Sequence, residues 1–331
     1  MKVLLTGAFG NIGVSTIHEL LKQGHQVRCF DVDTPANRKT ARKVNKQISD
    51  KHYPGRVQIV WGDLRHLEDV VPAARDQEAV IHLAFVIPSL STTGTGSESE
   101  PEWARIINVG GTRNLITVLR EQPRPPRLLF ASSLHIYGRT HDQPPPRTVD
   151  DLPQPIEHYA HHKVTCERLV RSSGLEWTIF RLGAALPIRL VLDPDMFNVP
   201  LNNRIEFVHT RDVGLAFSNG LETDAVWGRV WHIGGGANCQ LYQREILEGV
   251  LDAVGIGMLP EEAFTEVPFP TDWLDTAESQ KVLNFQRFTL QEYIQDVKGL
   301  LGIRRPFIQL FRPFIRSWLL KQSPILAANN S

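Results

Sequence analysis

Lys2-Val-Leu-Leu-Thr6-Gly7-Ala-Phe-Gly10-Asn-Ile-Gly13-Val14 opens the chain, and this stretch decides the fold. Residues 2–6 form an apolar run of the length of a buried strand, after which Val14, Ile17, Leu20 and Leu21 recur at helical spacing. Between them stand three glycines in a GxxGxxG pattern. A strand that turns this tightly into a helix needs residues without Cβ, so that backbone N–H groups reach an anion resting on the positive end of the helix. Gly7, Phe9, Gly10, Asn11, Ile12 and Gly13 are therefore candidates to cradle the pyrophosphate of a dinucleotide. The competing reading is a glycine-rich turn that only packs helix onto strand.

The same alternation runs on. Strands are expected near 26–31, 56–61, 79–83, 127–132 and 176–181, with helices near 36–49, 66–75, 102–121 and 157–173 between them. Strands separated by helices imply right-handed crossovers and a parallel sheet covered on both faces. Beyond residue 182 the pattern gives way to short strands around 205–208 and 229–233 and helices near 241–253 and 290–300. The expected fold class is α/β, a Rossmann-like doubly wound parallel sheet with a smaller C-terminal substrate lobe. Residues 1–182 form the dinucleotide domain, with 205–235 returning to it. Residues 183–204 and 236–300 form the lobe, and 301–331 a basic amphipathic tail. The Ser/Thr/Gly stretch 89–99 reads as a mobile loop.

Composition narrows the function classes. The 331 residues are 42% hydrophobic and 22% charged, which is ordinary globular usage and argues against a disordered or collagenous chain. Lys plus Arg and Asp plus Glu both total 36, so no net field draws the chain onto nucleic acid. Cys29, Cys166 and Cys239 are too scattered for a disulfide framework or a zinc site, which fits a reducing cytoplasm. The apolar start is too short for a signal peptide, and no run of about 18 apolar residues is present to span a membrane.

Asp31 closes the second strand 18 residues after Gly13. An acidic side chain there accepts hydrogen bonds from both adenosine ribose hydroxyls, which favours NAD. NADP is the alternative, because the basic run Arg38, Lys39, Arg42 and Lys43 offers partners for a 2′-phosphate. Asp63 and Leu64, after the third strand, fall where an adenine ring lies. Leu83 and Ala84 end the fourth, where small groups line the nicotinamide ribose.

These pieces, together with His82-Leu-Ala84, Asn108-Val-Gly-Gly-Thr112, Phe130-Ala-Ser132-Ser133 through Tyr137-Gly138, Tyr159-x-x-x-Lys163, Phe207-Val-His209 and His232-Ile-Gly234, resemble the extended short-chain dehydrogenase/reductases, the NAD-dependent epimerase/dehydratase family. The resemblance runs to about residue 300. It implies an enzyme that moves a hydride to or from a secondary alcohol or carbonyl, and it implies a homodimer paired through the helices near 102–121 and 157–173. Tyr159 and Lys163 stand one helical turn apart, where an ammonium favours the phenolate and lets Tyr159 act as acid/base. By the resemblance, Lys163 also holds the nicotinamide ribose, Ser133 fixes the substrate oxygen and Asn108 supports a proton relay.

Departures bear on the substrate. Ala184 stands where sugar-nucleotide epimerases usually have an asparagine, and only about 22 residues separate it from Phe207. A small or hydrophobic substrate is favoured, with a nucleotide-sugar epimerase or dehydratase as the alternative. A non-catalytic NAD-sensing or membrane scaffold protein is the reading from another class. His158, His161 and His162 lack a carboxylate or cysteine to complete a set, so no metal is assigned.

The tail leaves the family pattern. On a helical wheel Phe307, Ile308, Phe311, Phe314, Ile315, Trp318 and Leu319 gather on one side, with Arg305, Arg312 and Arg316 beside them and Pro313 as a kink. Residues 301–322 thus read either as a basic helix lying at a membrane surface or as a cover for an apolar groove on this chain or a second copy.

Overall fold

The computed structural model describes residues 1–88, 96–189 and 192–329. In chain order it runs β1 (Lys2–Thr6), α1 (Asn11–Lys22), β2 (Gln26–Asp31), α2 (Pro35–Lys51), β3 (Arg56–Trp61), α3 (Leu67–Ala74) and β4 (Ala79–His82). A long helix follows in two parts, α4 (Pro101–Arg105) and α5 (Gly111–Arg120), joined through a π turn at Ile106–Gly110. Then come β5 (Arg127–Ser133), α6 (His158–Arg171), β6 (Trp177–Leu182), β7 (Arg204–Glu206), α7 (Thr210–Glu222), β8 (Val230–Ile233) and β9 (Gln240–Tyr242). The chain closes with α8 (Gln243–Val254), α9 (Ala277–Leu283), α10 (Leu290–Leu301), α11 (Arg305–Leu310), α12 (Arg312–Leu320) and α13 (Pro324–Asn329). Most of the expected loop 89–99 lies outside the described residues, although Ser97 is buried and Glu98 takes part in the site.

Seven strands form one sheet in the order β3-β2-β1-β4-β5-β6-β8, all neighbours parallel. Strand side chains alternate between faces. Val3, Leu5, Val27, Ile81, Leu129 and Phe180 pack on one side against α1 and α7. Leu4, Phe30, Val80, Leu128, Phe130 and Ile179 pack on the other, against α3, α5 and α6. Both faces are covered, which is why the central strands β1, β4 and β5 read as short apolar runs.

Strand order reverses between β1 and β4, and the crevice at their carboxyl ends is where such sheets take ligands. Segment 205–235 enters this sheet only through β8, because β7 pairs antiparallel with β9 in a separate ribbon. That ribbon begins a second core in which Phe197, Phe207, Leu251, Ile294 and Leu319 are buried. A parallel bridge between Ala184 and Phe207 ties the two units together.

Candidate active site

The β1–α1 turn has the geometry its glycines require. Gly7 adopts φ +67°, and a Cβ there would lie 2.6 Å from the backbone nitrogen of Ala84, at the exit of β4. A Cβ on Gly13 would lie 2.4 Å from the Gly7 carbonyl oxygen. Gly10 caps α1, and the first turn of that helix holds no side-chain cap and no acidic residue, which leaves its N–H groups to an anion. This is a cradle that side chains would fill, and a dinucleotide pyrophosphate fits its chemistry. Phe9 is buried against Trp61, and the Asn11 amide donates to the Ala185 carbonyl at 2.9 Å, tying the turn to the segment after β6. Ile12 packs against the core.

Asp31 accepts from the Phe9 N–H at 2.8 Å, the Val32 N–H at 2.9 Å and the Asn37 amide at 3.0 Å. Burial pushes its carboxyl above the usual range, while the bonds from Phe9 and Val32 oppose that rise. The candidate ribose ligand therefore also shapes the glycine turn. Of the basic run, Arg38 is paired with Asp33. Lys39, Arg42 and Lys43 are exposed.

Asp63 is turned toward Arg65, accepting its N–H at 2.9 Å and its guanidinium at 2.7 Å. Burial raises that carboxyl, but the Arg65 bonds outweigh it and hold it below the usual range. Leu64 points its side chain into the core beside Gly111, and its carbonyl accepts from Asn114 at 2.9 Å. Leu83 and Ala84 continue β4, with the Ala84 N–H donating to the Thr6 hydroxyl at 3.2 Å.

Ser133 ends β5, and Tyr159 lies in the first turn of α6. The Ser133 hydroxyl lies near enough to the Tyr159 phenol to oppose the rise in its pKa. The N-terminus of α6 is held from a distance in sequence: Glu98 accepts the N–H groups of His158 at 3.1 Å and Tyr159 at 2.9 Å. Lys163, one turn on, is buried. Its ammonium donates to the Ala131 carbonyl at 2.7 Å and lies 3.5 Å from the centroid of the Phe85 ring and 5.6 Å from that of Tyr159. Burial pulls Lys163 down to about 7, with Cys166 and Glu167 opposing; the carbonyl and the ring face also favour the charged form.

Burial pushes Tyr159 up to about 12, with Ser133 opposing and the Glu157 carboxylate adding to the rise. The Lys163 charge is turned toward Ala131 and Phe85, so in the isolated chain it does not bring out the phenolate. Asn108 is buried in the π turn, where its amide exchanges two hydrogen bonds with Val86, at 2.6 and 2.9 Å, and approaches His162 at 3.3 Å. Its side chain thus pins the segment after β4.

Three residues near the phenol carry no sequence signal of their own. Phe85 stands edge-on to Tyr159 at 5.7 Å. His135 does the same at 5.8 Å, and its imidazole is fixed by Glu157 at 2.7 Å. His135 falls two residues after Ser133, and Glu157 two before Tyr159, so proximity to those positions was the one clue available. Tyr137, by contrast, is structural: its hydroxyl meets His232 at 2.6 Å and Arg181 at 2.7 Å, inside a network closed by the Arg181–Glu167 pair.

Beyond β6, the Ala184 N–H donates to the Glu206 carbonyl at 2.7 Å, so this position serves the bridge between the two units. A few residues on, a cavity of about 250 Å³ opens in the lobe, lined largely by apolar groups that include Leu186, Met196, Leu247, Val250 and Val297.

A doubly wound sheet with a glycine-rich first turn, and with a tyrosine, a lysine and a serine beyond the carboxyl end of β5, has the layout of a dinucleotide-binding fold. Residues 3–186 match the model of the NAD dependent epimerase/dehydratase family, and the chain belongs to that family. It is 27% identical over 220 residues to UDP-glucose 4-epimerase 3 of Oryza sativa subsp. japonica, covering 64% of this chain and 57% of that protein. It is 28% identical over 171 residues to short-chain dehydrogenase/reductase family 42E member 1 of Homo sapiens, covering 51% and 39% respectively. Among solved structures, a UDP-glucose 4-epimerase from Stenotrophomonas maltophila with bound NAD and formylated UDP-arabinopyranose superposes with a TM-score of 0.74 at 18% identity, over 92% of this chain and 99% of that one. The chain therefore spans little more than half, or less, of the length of these curated relatives. No described helix is long and apolar enough to cross a membrane.

Proposed function

We propose that the chain is an NAD-dependent oxidoreductase that interconverts a secondary alcohol and a carbonyl on a small or hydrophobic substrate. The observation that carries this reading is the buried Lys163 ammonium 5.6 Å from the Tyr159 ring, with Phe85 packed against both and Ser133 close by at the end of β5. Residues 84 and 85 link this cluster to the cofactor cradle, since Ala84 abuts Gly7 and Phe85 touches both Lys163 and Tyr159.

Gly7, Gly10, Gly13 and the first turn of α1 would hold the pyrophosphate, Asp31 the adenosine ribose, and Lys163 the second ribose. NAD, when bound, supplies the acceptor or donor of a hydride. Tyr159 exchanges the substrate hydroxyl proton at its phenol oxygen, and Ser133 fixes the substrate oxygen beside it. Lys163 supplies positive charge near that oxygen. The pairing of Arg38 with Asp33 supports NAD over NADP. The largely apolar cavity in the lobe and the Ala184 backbone bridge support an apolar substrate over a nucleoside diphosphate. Exposed Trp103 and Ile106 support pairing of two copies through the helix of residues 101–120 and α6.

A second reading, a nucleotide-sugar epimerase or dehydratase, is favoured by similarity to UDP-glucose 4-epimerases. Spectrophotometry of the full chain with NAD separates the two. A panel of apolar secondary alcohols producing stoichiometric NADH supports the oxidoreductase. Conversion of a UDP-sugar without net NADH overturns it.

A further inference from the structure

The tail does not follow one helical wheel. Its seven apolar residues divide into two stripes with different fates. Ile308, Ile315 and Leu319 pack onto the lobe core. Arg305 donates to the Ala253 carbonyl at 2.9 Å, Arg316 to the Met258 carbonyl at 2.6 Å, and Ser323 to the Ala263 carbonyl at 2.7 Å. These contacts fasten the tail to its own lobe, so one of the two sequence readings describes its inner face.

The outer face is different. Phe307, Phe311, Phe314 and Trp318 recur at i, i+4, i+7 and i+11, and helical bonds from Phe311 to Phe307 and from Ile315 to Phe311 carry the turn across the break between α11 and α12. All four rings are turned to solvent, between 52% and 75% exposed, beside Ile303 and Leu310 at 86% and 72%. So large an apolar display is not a neutral surface on a globular domain.

Charge identifies what covers it. From Val297 to the end the sequence holds Lys298, Arg304, Arg305, Arg312, Arg316 and Lys321 and no Asp or Glu. An open cleft of about 860 Å³ between α12 and α13 is lined by Arg312, Arg316 and Lys321 beside Leu320 and Leu326. A second copy of this face, apposed by a two-fold axis, would set these cations against themselves with no acid in either tail to offset them. An anionic bilayer satisfies both features at once: rings enter the acyl boundary while Arg and Lys meet lipid phosphates.

We infer that the outer face of α11 and α12 docks this protein, as a monolayer-deep contact and not a span, on membranes rich in anionic lipid.

Sedimentation of the full chain with vesicles tests this, comparing phosphatidylglycerol/phosphatidylcholine mixtures with phosphatidylcholine alone. Partitioning is expected to be at least about tenfold stronger on the anionic vesicles and to weaken as salt rises. The double substitution Phe307→Ser, Phe314→Ser removes two exposed rings that support no core, so the thermal midpoint stays near that of the parent while partitioning falls by about tenfold or more. The inference is overturned if the parent stays in the supernatant with both vesicle types, or if the double variant binds as well as the parent. Light scattering that finds a dimer made monomeric by the double substitution also overturns it, and assigns the face to a second copy.

Discussion

The Lys163 ammonium lies 3.5 Å from the centroid of the Phe85 ring, a face-on contact that caps a buried charge beside Tyr159. Burial by itself disfavours that charge; the ring face and the Ala131 carbonyl sustain it. Phe85→Leu keeps the site apolar but removes the π face. A desolvated cation–π contact is worth about 0.5–2 kcal/mol, so kcat/KM is expected to fall between about twofold and thirtyfold with little change in thermal midpoint. Steady-state kinetics of the two proteins check this, and an unchanged kcat/KM denies Phe85 the role.

Asp31 stands between the glycine turn and the expected ribose. Asp31→Ala removes the acceptor of the Phe9 N–H and the acidic partner of the ribose hydroxyls together. NAD affinity is expected to drop about tenfold or more, with discrimination against NADP largely lost. Calorimetric titration with each dinucleotide reads both effects, and an undiminished preference for NAD shows that the ribose is held elsewhere.

Reaction direction sets the pH dependence. Tyr159 is pushed up to about 12, so at neutral pH it is a protonated donor suited to reduction. Oxidation needs the phenol deprotonated. Its kcat/KM is expected to rise with pH between pH 7 and 10, less than tenfold per unit because Lys163 loses its charge over the same window, while that for reduction does not rise. Level oxidation kinetics over this window show that the proton leaves by another group.

Stability carries the opposite signature of the lysine. The folded chain holds Lys163 down to about 7 while the unfolded chain keeps it near its ordinary value, so between pH 7 and 10 the unfolded state binds more protons and folding gains as pH rises. Above about pH 10 the raised Tyr159 and Tyr137 reverse the slope. Lys163→Met is expected to abolish turnover, to leave the thermal midpoint at pH 7 unchanged or a few degrees higher, and to flatten the rise between pH 7 and 10. Calorimetry across that range checks it, and a midpoint at pH 7 many degrees lower contradicts it.

The sheet was legible because buried parallel strands are short apolar runs and their crossover helices keep an apolar stripe. Each expected strand from 2–6 to 176–181 falls within a residue or so of its place. Helix α7 was not legible. It is buried nearly all round, which blurs its apolar stripe, and Gly214 and Gly220 weaken its propensity. Those glycines are there for close approach, since a Cβ on Gly214 would lie 2.7 Å from the Ser15 backbone in α1.

Within the candidate site, Tyr159, Lys163, Ser133 and the glycine turn were legible because their chemistry needs particular residue types at fixed spacing. Glu98, Phe85 and the His135–Glu157 pair were not, because each acts across a tertiary contact that spacing along the chain does not encode. The tail shows the same limit. A wheel groups its apolar residues together, and only the packed lobe separates Leu319, which is buried, from Phe314, which is exposed.

The most direct test of the account compares Tyr159→Phe with the parent in two measurements on one preparation, NAD affinity and turnover of a substrate found by the alcohol panel. The phenol oxygen is the proposed proton carrier and the glycine cradle is untouched, so NAD should bind within about twofold of the parent while kcat falls by about 10²–10⁴-fold. Turnover that survives the loss of that single oxygen would contradict the account.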